Sequence, residues 1–185
     1  MLIKATFFMV GDNVRKYPEL FADVKRRGHR VGNHTMHHLQ GLRESKDAYL
    51  ADVADADRYI GSDLFRPPHG WMKRSQGKAL SAKYRIVMYD LVTRDYSKHL
   101  DAGDVFDNVR KYARPGSIIV FHDSLKSLPR LFEALPKSIE WLMEQGYKFD
   151  VFLNHSGILS INMSDTTETQ GRRLAQPLSC LILML

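Results

Sequence analysis

The sequence predicts an α/β fold with parallel strands, on three observations. Short runs rich in β-branched and aromatic residues alternate with amphipathic segments along most of its length. These runs are apolar at nearly every position, as strands buried on both faces are. Titratable residues then follow the C-terminal end of one predicted strand after another: His34, Arg66, Asp90 or Asp95, and His122. In a β/α barrel that end is the active-site face, and core packing gives no reason for charges to gather there.

The elements follow in order. Ile3 to Val10 is a buried strand, broken at Gly11-Asp12-Asn13. Asp12 or Asn13 caps a helix over Val14 to Arg27, with Tyr17, Leu20, Phe21 and Val24 on one face and Gly28 after its end. A very short strand, His29 to Asn33, leads into His34. Ser45 caps a helix to Ile60, in which Tyr49, Val53, Ala56 and Ile60 recur at helical spacing. Asp63 to Phe65 is a short strand running into Arg66-Pro67-Pro68-His69-Gly70, a turn stiffened by two prolines. A modest helix spans Lys73 to Ala82, and a strand spans Tyr84 to Tyr89. Ala102 to Ala113 is helical, with Val105, Val109 and Tyr112 in phase. Ser117 to Phe121 is a strong buried strand ending on His122-Asp123-Ser124. Leu128 to Gln145 is the longest helix, and Tyr147 to Leu153 the last strand. Beyond about Met163 the pattern decays. Residues 1–155 are therefore expected to form the domain and 156–185 an irregular tail.

At 185 residues the chain suits a single domain with a real core. Its net charge of +6 comes from scattered Lys and Arg. The longest basic run is Lys25-Arg26-Arg27, and neither it nor the Arg172-Arg173 pair has flanking aromatics, so nucleic acid is not an expected partner. No run reaches the ~18 apolar residues of a membrane span, and no signal peptide is visible. One cysteine, Cys180, leaves no disulfide framework and no thiolate cluster, so a metal site must use His, Asp or Glu.

The densest chemistry lies in Gly32-Asn33-His34-Thr35-Met36-His37-His38. Four residues apart, His34 and His38 can face one ion on a helix or tight turn, and imidazole suits Zn, Co, Ni or Fe better than Mg or Ca. A solvated, His-rich loop is the alternative. His29, His37, His99 and His155 read as local hydrogen-bonding histidines, with His37 a rival to His38. Trp71 lines a groove or packs. Tyr89 and Tyr96 stack on a ligand or belong to the core. Asp90 reads as a turn cap, and Lys25-Arg26-Arg27 as a solvated helix end.

Ordered along the chain, the motifs resemble those of the polysaccharide deacetylases, carbohydrate esterases of family 4 that share the NodB homology domain. Lys4-Ala5-Thr6-Phe7-Phe8 with Gly11 resembles their second strand. His34-Thr35-Met36-His37-His38 is similar to their His-(Ser/Thr)-x-x-His motif. Arg66-Pro67-Pro68-His69-Gly70 is similar to Arg-Pro-Pro-Tyr-Gly, with His for Tyr. Asp95 and Ile119-Val120-Phe121-His122-Asp123 are similar to the fourth and fifth motifs. The resemblance runs from about Lys4 to Phe152. It implies a distorted (β/α) barrel and metal-dependent hydrolysis of the acetamide on an N-acetylated polysaccharide such as peptidoglycan or a chitin oligomer. His34 and His38 would hold a divalent metal, zinc first and cobalt or nickel next, which polarises the carbonyl and activates water. His122 would protonate the leaving amine, oriented by Asp95. A backbone N–H near His69 would help bind the oxyanion, Trp71 would line the sugar groove, and Arg66 would pair with the catalytic base. Members of the family work in the cell envelope or outside the cell.

One motif of the family is not found. Its first strand ends in Thr-Phe-Asp-Asp-Gly-Pro, whose carboxylates serve as general base and third metal ligand. These 185 residues contain no Asp-Asp pair. Asp12, Asp90 and Asp123 lie near predicted strand ends, but none matches that position. The expectation is a truncated domain lacking its first strand and helix, with exposed apolar edges and weak or no activity. The alternatives are a non-catalytic glycan-binding remnant and a gene fragment.

Overall fold

Strands form where the apolar runs fall, and every pairing among them is parallel. The structure, a computed structural model, describes residues 3–152 and 178–184. Its strands are β1 (Thr6–Met9), β2 (Arg30–Asn33), β3 (Leu64–Phe65), β4 (Arg85–Ile86), β5 (Leu91–Val92), β6 (Ile118–Phe121), β7 (Tyr147–Asp150) and β8 (Leu178–Met184). The helices between them are α1 (Gly11–Lys16), α2 (Pro18–Arg26), α3 (Lys46–Ile60), α4 (Arg74–Leu80), α5 (Ala102–Tyr112) and α6 (Leu128–Glu144). The strand order is β4-β3-β2-β1-β8-β6-β5, with β7 beside β8. The two ends of this path, β4 and β5, follow each other in the chain, which gives the arrangement its distorted-barrel character.

Helices cover the outside. Tyr49, Val53, Ala56 and Ile60 of α3 are all buried, against Phe65 on one side and Val14 and Met36 on the other. Burial of side chains of this kind contributes about 1.5–3 kcal/mol each. Ser45 caps α3 by accepting from the Ala48 N–H, and Gly61 closes it at φ 58°. Val105 and Val109 of α5 pack with Leu131, Ala134 and Leu142 of α6 against Ile119 and Phe121. Tyr112, expected in phase with the two valines, is instead more than half exposed. The inner face holds Phe8, Leu64, Val87 and Val120. Gly32 is required there: a Cβ on it would stand 2.5 Å from the Phe8 ring.

Several elements differ from expectation, among them the short strand β5, which the sequence does not predict. The helix over Val14 to Arg27 is two helices. Pro18 has no N–H to give and pushes Tyr17 out of the helical region, to φ −129°, so α1 stops and α2 restarts with Pro18 at its first position. α1 is also not capped by Asp12 or Asn13. It starts at Gly11, whose N–H, like that of Asp12, donates to the His loop, at the Thr35 and Met36 carbonyls. The strand over Tyr84 to Tyr89 shrinks to Arg85–Ile86, because the Arg66 side chain takes the Val87 and Met88 carbonyls that a longer ladder would use.

The largest difference concerns the end of the chain. Residues 178–184 form β8, a strand rather than part of an irregular tail, and it lies between β1 and β6. Thr6 and Phe7 pair with Leu183 and Met184, and Ile118 to Phe121 with Leu181 to Met184. Exposed apolar edges are expected of a domain lacking its first strand; the edges of β1 and β6 that face β8 are paired. The polar stretch Ser164 to Gln170 and His155 lie outside the described residues.

Candidate active site

Beyond the C-terminal ends of β1, β2, β3, β5 and β6 lies one cavity of roughly 1300 Å³, walled by His34, His38, Arg66, His69, Arg94, Tyr96 and His122 among others.

The His loop is held from several sides. Asn33 donates from Nδ2 to the Val53 carbonyl and accepts the Thr35 N–H on Oδ1, and the His34 N–H donates to the Met9 carbonyl. Buried Asp52 accepts the Met36 and His37 N–H groups and, 2.5 Å away, His37 Nδ1. His37 is thereby turned away from competition with His38. Thr35 sits at φ 66° and His38 at φ 57°; a β-branched residue in the left-handed region is a genuine outlier, kept only where surroundings dictate it. His69 (φ 59°) and Arg94 (φ 62°) complete the set of positive-φ residues other than glycine among the described residues, and three of the four line the cavity.

His34 is buried, and its Nδ1 lies 2.8 Å from the Arg66 carbonyl. A carbonyl can only accept, so Nδ1 carries the proton and Nε2 keeps its lone pair. Burial, then the nearby His38, pushes the His34 pKa down to about 3. His38 is lowered too, by desolvation and by the neighbouring His69 and His122. Both rings are therefore neutral bases at neutral pH, as metal donation requires. Their ring centres are 5.0 Å apart, and those of His38 and His69 are 4.9 Å apart. As placed, no group of three His, Cys, Asp or Glu donors converges among the described residues.

Across the cavity, the fully buried Asp95 grips His122 twice. One carboxylate oxygen accepts the His122 N–H at 2.6 Å, and the other accepts from Nδ1 at 2.7 Å. Nε2 is again the free nitrogen. Arg130 donates to the Asp95 carbonyl, and Tyr96 meets the His122 ring edge-on at 4.8 Å. Tyr96 is 45% exposed, so it belongs to the cavity rim rather than to the core.

Arg66 is the largest fully buried side chain among the described residues. It donates from Nε and Nη2 to the Val87 and Met88 carbonyls and stacks on the Phe8 ring, 4.5 Å away. Desolvation lowers its pKa to about 9. Its Nη1 is buried without a hydrogen-bond partner among the described residues. Of the three aspartates near strand ends, Asp90 ties down Ile118, Ser117 and Arg114, and Asp12 pairs with Arg15 and Lys16. Asp123 alone lines the cavity, its carboxyl raised by desolvation although the residue as a whole is open to solvent. Trp71 is 59% exposed and stands outside the cavity wall. The apolar flank of the cavity, Tyr17, Leu20 and Phe21, is a part of the site that sequence reasoning misses; its signal is an amphipathic α2 that buries none of its residues.

Comparison with known proteins agrees with this arrangement. The family model for polysaccharide deacetylase matches residues 2–87. A peptidoglycan-N-acetylglucosamine deacetylase of Bacillus cereus is 32% identical over 160 residues, which cover 79% of this chain and 72% of that protein. The chain belongs to the polysaccharide deacetylase family. A second Bacillus cereus deacetylase of this family, 30% identical, is covered over 56% of its length. Among solved structures, a peptidoglycan N-acetylglucosamine deacetylase with a bound hydroxamate-type benzamide superposes at a TM-score of 0.73, with 30% identity over 78% of this chain and 71% of that one. A family 4 pseudoenzyme from Bacillus anthracis superposes at 0.71, with 27% identity over 79% of this chain and 53% of that one. The polysaccharide deacetylase fold thus accommodates both active and inactive members among the neighbours of this chain.

Proposed function

We propose that this chain is the catalytic domain of a deacetylase that hydrolyses the acetamide of an N-acetylated glycan, peptidoglycan or a chitin-type oligomer, with a divalent metal, zinc first among candidates. The observation that carries this reading is the facing of two imidazole systems across one cavity, His34 with His38 and His122 with Asp95. His34 and His38 fit a metal: both are neutral, and His34 has its free nitrogen fixed by the Arg66 carbonyl. When bound, the metal supplies Lewis-acid polarisation of the acetamide carbonyl and of water.

The chain's own residues would do the rest. His122 carries the proton on Nε2 to the leaving amine, while Asp95 fixes the ring and balances the charge it bears at that moment. A backbone N–H at the His69 turn helps hold the oxyanion. Arg66 keeps Nη1 for an acceptor inside the site, in keeping with pairing to a catalytic carboxylate. Among the described residues, Asp123 is the carboxylate that lines the cavity, and it would take a proton from water. Trp71 and Tyr96 border the path of the sugar chain.

A second reading, a non-catalytic glycan-binding domain, is favoured by the likeness to the Bacillus anthracis pseudoenzyme and by the Asp-Asp pair that these residues lack. Acetate release from N-acetylglucosamine oligomers in the presence of zinc or cobalt, with His34→Ala as control, decides between them. Release that vanishes in the control supports the deacetylase; oligomer binding without release supports the second reading.

A further inference from the structure

We infer that Asp52 is a positioning residue for the metal pair: from α3, behind the cavity wall, it fixes the loop that carries His34 and His38, and above all it places His38. The inference rests on the metal reading proposed above and adds no donor to it. Asp52 is buried and does not line the cavity. Among the described residues no Lys or Arg pairs with it, and its one charged neighbour is the His37 ring. A buried carboxylate without a cation is costly to desolvate unless its oxygens accept hydrogen bonds. Among the described residues, every hydrogen bond of its side chain goes to the loop. Oδ2 accepts the Met36 and His37 N–H groups at 2.8 and 3.2 Å, and Oδ1 lies 2.5 Å from His37 Nδ1.

The loop needs such a hold. Thr35 at φ 66° and His38 at φ 57° stand on either side of the Met36-His37 pair that Asp52 grips. Left-handed backbone at residues other than glycine persists only where the surroundings dictate it. The surroundings here are α3, seated in the core by Tyr49, Val53, Ala56 and Ile60. The main chain of α3 adds to the grip: the Met36 N–H also lies 3.2 Å from the Asp52 carbonyl, and Asn33 Nδ2 donates to the Val53 carbonyl. His34 has holds of its own, at the Met9 and Arg66 carbonyls. His38 makes no hydrogen bond among the described residues, so its place depends on the loop before it. The two ring centres are 5.0 Å apart, and a tight site needs its donors held to within about 0.5 Å.

The test measures the zinc affinity of the full chain by calorimetry. Asp52→Leu fills the space without an acceptor, and Asp52→Asn keeps an oxygen for the Met36 and His37 N–H groups. Circular dichroism checks that both fold; where Asp52→Leu does not, Asp52→Ala takes its place. Asp52→Leu should bind zinc about 10–100-fold more weakly, the usual effect of losing an outer partner of a ligand, and Asp52→Asn should lose less than about 10-fold. Asp90→Leu, which unties Ile118, Ser117 and Arg114, should lower thermal stability but keep zinc affinity within about twofold. Unchanged affinity in Asp52→Leu, equal losses in the Leu and Asn variants, or an equal loss in Asp90→Leu would each overturn the inference. Zinc binding that survives His34→Ala overturns the metal reading, and hydrogen exchange of the metal-free chain then tests the grip alone. Asp52→Leu should speed exchange at the Met36 and His37 amides while those of α3 stay protected; unchanged protection of the loop overturns the grip.

Discussion

Two histidines face each other across the cavity, each donating Nδ1–H to an oxygen and each keeping Nε2 for chemistry. His34 donates to a backbone carbonyl and lies buried beside another imidazole; His122 donates to a carboxylate and stays partly open. In the first environment burial, and next the neighbouring His38, outweigh the Arg66 carbonyl, and the His34 pKa falls to about 3. The second supplies a negative partner within 2.7 Å. The two rings are held alike through Nδ1 but in unlike settings, one buried against a backbone carbonyl and the other beside a buried carboxylate.

That contrast can be broken in graded steps. His34→Ala should lower metal-dependent acetate release most, by on the order of 10³-fold or more, because the metal's several kcal/mol of barrier lowering go with the ligand. His122→Ala should cost about 10²–10⁴-fold in kcat with zinc affinity intact, as expected of a general acid. Asp95→Asn leaves a ring that is still held but has lost its charge partner; kcat should fall by about 10²-fold, with little change in KM. Zinc binding that drops together with kcat in either of the latter variants would show that the two walls are not separate devices.

The asymmetry also has a pH signature in the metal-free chain. His34 binds a proton in the unfolded state below about pH 6.5 but not in the folded state until about pH 3. Between these values the unfolded state holds more protons, so stability falls as pH falls, by up to about 1.4 kcal/mol per pH unit from this group. Chemical denaturation from pH 7 to pH 4 should show that slope, and His34→Gln should flatten it. A slope unchanged in the variant would place its origin elsewhere. The smallest effect is expected at Trp71, which lies outside the cavity wall: Trp71→Ala should raise KM for longer oligomers a fewfold and leave kcat and metal affinity unchanged, measured on a series of chain lengths.

Much of the site is legible in the sequence, because the chemistry sits at strand ends and strand ends are marked by composition. His34, Arg66, Asp95 and His122 each follow an apolar run, and the structure brings His34, Arg66 and His122 onto one cavity, with Asp95 buried directly behind His122. What the sequence hides depends on distant partners. Asp52 lies on the face of α3 as one more polar residue, and only folding shows it clamping His37 and the loop. Pro18 is plain to see, but the apolar spacing of Tyr17, Leu20 and Phe21 suggests a buried face, whereas the break at Pro18 turns these residues toward the cavity. The strand at 178–184 carries an apolar run but no register, because its neighbours, β1 and β6, lie far back along the chain.

That last placement bears on how the protein comes to be folded. Thr6 meets Leu183, so a central strand of the sheet finds one of its two neighbours only across nearly the whole length of these 185 residues. Contacts of such span raise contact order and slow the search for the native state. Until residues 178–184 arrive, β1 and β6 present unpaired, strongly apolar edges to whatever is nearby, including other copies of the same chain. During synthesis these edges wait longest for cover, so the yield of folded protein should depend on prompt arrival of β8 and fall as chain concentration rises.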